Sequence, residues 1–113
     1  MTKVAVSGAS GFIGRYVVNE LERHGLSPTL LYHRSDVVPG HRRHRIVMID
    51  IHTASDDVFD RIGRPDVLVH LAWGGLPNYN APRHVTEEAS AHGHFLTRLV
   101  EGGLKRLLVT GTC

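Results

Sequence analysis

The chain has little of what would place it in several protein classes. Its single cysteine, Cys113, excludes an internal disulfide and is compatible with a reducing compartment. It has no run of 18 apolar residues, so no membrane-spanning helix is expected. The formal net charge of +2 gives no support to nucleic acid or a membrane surface as a partner. A strand-like run starts at residue 3 and leaves no room for a signal peptide. We therefore expect a cytoplasmic protein.

Three glycines at regular spacing lie between a strand-like apolar run at 3–7 and an amphipathic helix. They are Gly8, Gly11 and Gly14. The helix is predicted because Ile13, Val17 and Leu21 fall at i, i+4 and i+8, which is one helix face. A strand, a glycine turn and a helix N-terminus in this order predict a site for the phosphates of a dinucleotide. The alternative is a glycine-rich turn that binds nothing.

Each glycine has a separate predicted role in that site. Gly8 permits the tight turn, Gly11 lets the backbone approach a pyrophosphate, and Gly14 lets helix and strand pack closely. The free N–H groups of the first helical turn face the phosphate charge. The predicted contacts are Gly8, Ser10, Gly11, Phe12, Ile13 and Gly14.

Strands alternate with helices along the rest of the chain. The predicted strands are 29–32, 46–49, 67–71 and 104–109, and the predicted helices are 55–62, with Ser55 as N-cap and Asp56 and Asp57 in its first turn, and 83–101. Residues 37–45 are predicted to form a surface loop. This alternation indicates a doubly wound α/β fold, a parallel sheet of order 3-2-1-4-5, forming one Rossmann-type domain over 1–113.

The glycine spacing resembles that of the extended short-chain dehydrogenase/reductases, the NAD-dependent epimerase/dehydratase family. The usual form in that family is T-G-x-x-G-F-[IL]-G, and Ser7 stands here in place of the common Thr. The resemblance covers essentially all 113 residues. It implies an NAD(P) cofactor and a nucleotide-sugar substrate.

The exit of the second strand predicts which cofactor binds. An acidic side chain there favours NAD, and a basic one accepts the 2′-phosphate of NADP. The sequence has His33 followed by Arg34, which favours NADP, with NAD also possible. The alternative is that Arg34 is a solvated surface residue, because Arg42, Arg43 and Arg45 follow in the same loop.

Two further segments match the cofactor contacts of the family. Asp50 and Ile51 resemble its adenine pocket, although an Asp that caps a strand-to-helix loop is equally consistent with the residues. The segment Leu71, Ala72 and Trp73 resembles the stretch that touches the pyrophosphate and the nicotinamide-side ribose. Trp73 departs from the small residue that the family has there.

The resemblance also places a catalytic hydroxyl near the end of the chain. Thr112 matches the Ser or Thr at the end of the fifth strand, with Thr110 the second choice and a local backbone bond the alternative. The family's Tyr-x-x-x-Lys pair is absent, because none of the three tyrosines has a lysine four residues later. We therefore expect the chain to be the N-terminal part of a longer enzyme and inactive alone.

The loop at 70–79 resembles that of reductases of nucleotide-activated 4-keto-6-deoxy sugars, the dTDP-6-deoxy-L-talose 4-dehydrogenase type. The leading prediction is such a reductase. The alternatives are a nucleotide-sugar epimerase or dehydratase and a non-catalytic NADP(H) sensor of the same fold. By the resemblance, the 83–101 helix is expected to form a homodimer.

The nine histidines do not predict a metal site. His92 and His94 are two apart on a helix and point in different directions. His41 and His44 lie in a loop with no cysteine or nearby carboxylate. His92, on the apolar helix face, is predicted to be a satisfied core or interface histidine.

Overall fold

The computed structural model describes residues 2–33, 37–53, 55–71 and 89–109. Its strands are β1 (Val4–Ser7), β2 (Thr29–Tyr32), β3 (Ile46–Met48), β4 (Val67–His70) and β5 (Arg106–Val109). Its helices are α1 (Phe12–Arg23), α2 (Val58–Arg61) and α3 (Ala89–Gly102), with short 3-10 helices at Pro39–His41 and Ile51–Thr53. None of the helices within these ranges is long and apolar enough to cross a bilayer.

The five strands form one parallel sheet of order β3-β2-β1-β4-β5, which confirms the predicted topology. Alternate side chains of each strand point to opposite faces, so two apolar layers form. One layer joins Val4, Val6 and Leu30 to Val18 of α1. The other layer joins strand residues to both later helices, through Ala5, Leu31, Leu68, Val58, Phe59, Phe95 and Leu99. Helices therefore cover both faces of the sheet, as a doubly wound fold requires.

Glycines with positive φ angles follow two of the helices. Gly25 follows α1 with φ +79°, and Gly103 follows α3 with φ +122°. In this left-handed region a Cβ is unfavourable, so glycine ends a helix at the lowest cost.

One local prediction about the helices is wrong. Ser55 is not an N-cap: α2 begins at Val58, and the Ser55 hydroxyl donates to the carboxylate of Asp57, which itself precedes the helix. In α1, Gly14 and Val18 are buried, Val17 and Leu21 of the predicted apolar face pack partly buried against the core, and Ile13 is 52 % exposed. Gly14 packs closely against the glycine turn, and this contact directs the helix face with Gly14 and Val18 toward the sheet.

Candidate cofactor-binding crevice

The predicted phosphate site lies where the sheet changes direction. From β1 the chain builds β2 and β3 on one side, and β4 and β5 lie on the other side. Gly8 follows β1 and Leu71 follows β4, its direct neighbour. Ligands of open α/β sheets bind at this kind of switch point, beyond the carboxyl ends of the strands.

The glycine turn needs glycine at two of its three positions for geometric reasons. Gly8 has φ +70°, and its carbonyl oxygen accepts from the Gly11 N–H at 3.2 Å. A Cβ on Gly14 would lie 2.1 Å from the Gly8 oxygen. Gly11 differs, because its φ of −75° suits any residue and a Cβ there would be at an ordinary 3.5 Å from the same oxygen. The shape of the turn therefore does not explain Gly11.

The N-terminus of α1 is open toward the crevice. Its N-cap, Gly11, makes no side-chain hydrogen bond, and its first turn has no acidic residue. The first N–H groups of a helix lack intrahelical acceptors, so these can bind an anion. Phe12 beside them is 88 % exposed.

Arg15 adds a positive charge that the sequence reasoning missed. Its Nε donates to the carbonyl oxygen of Ser10 at 3.1 Å, which holds the exposed guanidinium beside the glycine turn. The available signal was a basic residue directly after the third glycine.

The exit of β2 is anchored by buried polar contacts. The buried Tyr32 hydroxyl hydrogen-bonds Nδ1 of His41 at 2.6 Å and accepts from the Val38 N–H at 3.2 Å. Burial lowers the pKa of His41, and the neighbouring Arg15 and Arg43 guanidinium groups lower it further. The 37–45 segment was predicted as a surface loop, but its two histidines, His41 and His44, are buried. His33 is exposed, and Arg34 lies outside the described residues.

A carboxylate does lie near these histidines, contrary to the expectation. Glu22 of α1 pairs with Arg43 and, at 2.9 Å, with Nε2 of His44. The hydrogen bond from His44 holds the pKa of Glu22 below its usual range. Within the described ranges, no group of three or more His, Cys, Asp or Glu side chains is arranged to bind a metal.

The basic residues of this loop are not equivalent. Arg43 is paired with Glu22, and Arg45 donates to the carbonyl oxygen of Arg61 at 3.3 Å. Arg42 is exposed and has no ion-pair partner in the part of the chain that the structure covers. Arg42 is therefore the arginine of the described loop that remains available to bind an anionic ligand.

Asp50 caps the turn after β3. Its Oδ1 accepts from the His52 N–H at 2.9 Å, and its carbonyl oxygen accepts from the Thr53 N–H at 3.1 Å. This is the capping alternative that the sequence left open, and the predicted adenine contact stays a prediction. Ile51 is half-buried and packs against the core.

The carboxyl ends of β1 and β4 are joined by side chains as well as by main chain. The Leu71 N–H donates to both the carbonyl oxygen and Oγ of Ser7, at 3.2 and 3.1 Å. Nδ1 of His70 lies 2.6 Å from the same Oγ, and its Nε2 lies 2.6 Å from Nδ1 of His92. Burial and the neighbouring His92 lower the pKa of His70 to about 4. His92 is thus a hydrogen-bonded core histidine, as predicted.

Several predicted site residues lie outside the described part of the chain. These are Arg34, Ala72, Trp73, Thr110 and Thr112.

The chain is similar to proteins that are roughly two and a half to three times as long as itself. It is 31 % identical to dTDP-6-deoxy-L-talose 4-dehydrogenase (NAD(+)) of Aggregatibacter actinomycetemcomitans, over 96 % of the chain and 41 % of the relative. It is also 31 % identical to ceramide reductase of Caulobacter vibrioides, over 61 % of the chain and 22 % of the relative. UDP-N-acetylglucosamine 4-epimerase of Bacillus cereus has the same fold, with a TM-score of 0.73 at 20 % identity, over 99 % of the chain and 36 % of that structure.

The chain thus spans less than half the length of the curated relatives that it matches. The family model described as the NAD dependent epimerase/dehydratase family matches residues 4–113, which include the glycine turn, all five strands and the end of β4. The chain therefore belongs to the NAD-dependent epimerase/dehydratase family.

Proposed function

We propose that the crevice between β1 and β4 binds the pyrophosphate of a nicotinamide dinucleotide. The observation that carries this proposal is the glycine turn, which ends in a helix N-terminus without a side-chain cap or an acidic residue. Arg15 adds positive charge beside it. The residues that would hold the pyrophosphate are Gly8, Ser10, Gly11, Phe12, Ile13 and Gly14.

We propose NADP as the preferred cofactor, because position 33 holds no carboxylate and basic residues follow β2 in the sequence. Arg34 and the exposed Arg42 would bind the 2′-phosphate, while Arg43 and Arg45 are held by other contacts. A charge-assisted bond is worth about 1.5–3 kcal/mol, which is roughly a ten- to hundredfold preference. The A. actinomycetemcomitans relative is named for NAD(+), and NAD is therefore the alternative.

The remaining cofactor contacts are proposed at two strand ends. Asp50 and Ile51 would border the adenine, with one oxygen of Asp50 already used in capping. Leu71, Ala72 and Trp73 would border the pyrophosphate and the second ribose.

For the whole protein we propose reduction of a nucleotide-activated 4-keto-6-deoxy sugar. The 31 % identity to an enzyme named for a dTDP-activated deoxy sugar supports this class of substrate. The bound nicotinamide would supply hydride. The Thr112 hydroxyl would donate a hydrogen bond to the reacting oxygen and polarise it. Self-association through the 83–101 helix remains a prediction for the same protein.

The experiment measures affinity first and turnover second. Calorimetric titrations with NADPH and NADH should show binding of both, with NADPH at least tenfold tighter. Lack of affinity for either nucleotide would refute the cofactor site, and equal affinity would refute the preference. With a dTDP-4-keto-6-deoxyhexose, the full-length protein should oxidise one NADPH for each sugar reduced. Sugar conversion without net NADPH loss would identify an epimerase or dehydratase instead.

A further inference from the structure

Three buried side chains from three different elements form one hydrogen-bonded chain beneath the crevice. Ser7 lies at the end of β1, His70 at the end of β4, and His92 in α3. They are 2 %, 2 % and 4 % exposed. The Ser7 Oγ to His70 Nδ1 distance and the His70 Nε2 to His92 Nδ1 distance are both 2.6 Å. The contacts are as short as hydrogen bonds to charged groups, although burial favours neutral rings.

This hydrogen-bonded chain of side chains reaches both backbone segments that border the crevice. Ser7 immediately precedes the Gly8 turn, and its Oγ accepts from the N–H of Leu71, the first residue after β4. The other part of the chain reaches α3, whose Phe95 lies against the His70 ring with 5.6 Å between ring centroids. Buried and packed side chains therefore connect α3 to the two strand ends.

With neutral rings, the hydrogen bonds of this chain can all run in one direction or all in the other, which gives two possible polarities. A neutral imidazole has one N–H, so if Ser7 donates to Nδ1 of His70, then Nε2 of His70 donates to His92. In the opposite polarity, His92 donates to His70 and His70 donates to Ser7. In either polarity the Ser7 Oγ can still accept from the Leu71 N–H. The contacts are therefore compatible with two tautomer arrangements of the two rings.

We propose that Ser7, His70 and His92 form a positioning chain through which helix α3 fixes the spacing between the glycine turn and the end of β4. His92 then contributes to cofactor affinity without touching the cofactor. This inference rests on the proposed cofactor site.

Variants at position 92 separate the hydrogen bond from packing. His92→Leu removes the hydrogen-bonding Nδ1 and fills the site with an apolar side chain, whereas His92→Asn keeps a hydrogen-bonding atom near the position of Nδ1. His94→Leu is the matched control, since His94 is exposed on the same helix and contacts Arg98. We expect NADPH affinity to fall about tenfold in His92→Leu, the effect of one lost buried hydrogen bond. It should stay within about threefold in His92→Asn and be unchanged in His94→Leu.

Two further measurements distinguish positioning from general destabilisation. Ser7→Ala should weaken NADPH binding to a similar extent, and the Ser7→Ala/His92→Leu double variant should be no weaker than the worse single variant, because both break one chain. In the wild-type protein, the ring ¹⁵N chemical shifts of His92 should move when NADPH saturates the site, and Ser7→Ala should abolish this movement.

The proposal is overturned if folded His92→Leu binds NADPH like the wild type. It is also overturned if the affinity of the double variant falls by the product of the two factors measured for the single variants. Unchanged His92 shifts on saturation would also overturn it. If His92→Leu does not fold, the NADPH affinity of Ser7→Ala and the ¹⁵N chemical shifts of His92 test the proposal. A wild-type protein without NADPH affinity refutes the proposed cofactor site, whereas wild-type binding with unaltered variants refutes only the positioning chain.

Discussion

Replacing Gly14 by alanine should damage both the fold and cofactor binding, because the new methyl group would overlap the main chain of the glycine turn. Its Cβ would lie 2.1 Å from the Gly8 oxygen and 2.7 and 2.8 Å from Cα and C of Ala9. Real Cβ atoms essentially never approach other atoms within 3.0 Å, and here every neighbour is backbone. Helix α1 and the turn must therefore move apart.

The free energy of unfolding measures the cost of that movement. Overpacking typically costs 1–3 kcal/mol, and the higher helix propensity of alanine offsets about 1 kcal/mol of it. We expect a net loss of at most about 2 kcal/mol in urea denaturation. NADPH affinity should fall by more than about tenfold, because the N–H groups of the turn are displaced from the positions that bind the phosphate.

Gly11→Ala tests whether a ligand approaches the backbone here, because this substitution leaves the packing of the turn unchanged. Its Cβ would make an ordinary 3.5 Å contact, and the backbone there suits any residue. We expect a stability loss of about 1 kcal/mol or less, since alanine is a poorer N-cap than glycine. NADPH affinity should nevertheless fall about tenfold, because the exposed methyl group would occupy the face where the pyrophosphate approaches.

Gly93→Ala in α3 is the matched control. Nothing lies within 4 Å of the added Cβ, so alanine should raise stability by up to about 1 kcal/mol and leave NADPH affinity unchanged. Wild-type affinity in Gly14→Ala would refute the role assigned to the turn. Wild-type affinity in Gly11→Ala would show that no pyrophosphate approaches this backbone.

Three other predictions concern the cofactor preference, the reaction and pH. Arg34→Asp should weaken NADPH binding at least tenfold more than NADH binding in titrations, and equal losses would contradict the phosphate role. In the full-length protein, Thr112→Val should lower kcat about a hundredfold with cofactor Kd nearly unchanged, and unaltered turnover would remove Thr112 from the mechanism. The free energy of unfolding should fall by about 2 kcal/mol from pH 7 to pH 5, because below pH 6.5 the unfolded chain protonates His70 while the fold keeps it neutral until about pH 4. His70→Asn should flatten that urea-denaturation profile, and an unchanged profile would contradict the assignment.

The order of the elements was predictable because short-range signals specify it. β2 has the predicted bounds, and Gly25 and Gly103 end α1 and α3 through positive φ angles. Alternating apolar strands and helices then leave few topologies, and the observed 3-2-1-4-5 order is the common one with right-handed crossovers.

Which face of α1 is buried was predicted less well. The periodicity of Ile13, Val17 and Leu21 identifies an apolar stripe, of which Val17 and Leu21 pack against the core while Ile13, in the first turn, is 52 % exposed. The close approach of Gly14 to Gly8 orients the helix instead. A glycine has no hydrophobic signal, so an analysis of apolar spacing gives it no weight.

The polar network of the site was not predictable from local pattern. Ser7 and His70 are 63 residues apart, and His44 and Glu22 are 22 apart. Whether such side chains meet depends on register and helix placement, which periodicity does not specify. The same limit explains why the 37–45 segment was expected at the surface. Its polar composition indicates a loop, yet Tyr32 and Glu22 supply hydrogen-bond partners for its two buried histidines.

The contacts of that loop bear directly on cofactor selection. Counting charges in 33–45 suggests a broad basic patch, but the fold uses Arg43 and Arg45 to hold the loop against α1 and α2. A cation already bonded to a carboxylate or a carbonyl contributes less to a new phosphate contact, since that bond must first be lost. The proposed preference for NADP consequently depends on Arg34 and Arg42. The pairs Tyr32–His41 and Glu22–His44 determine where that loop, and Arg42 with it, lies relative to the strand end.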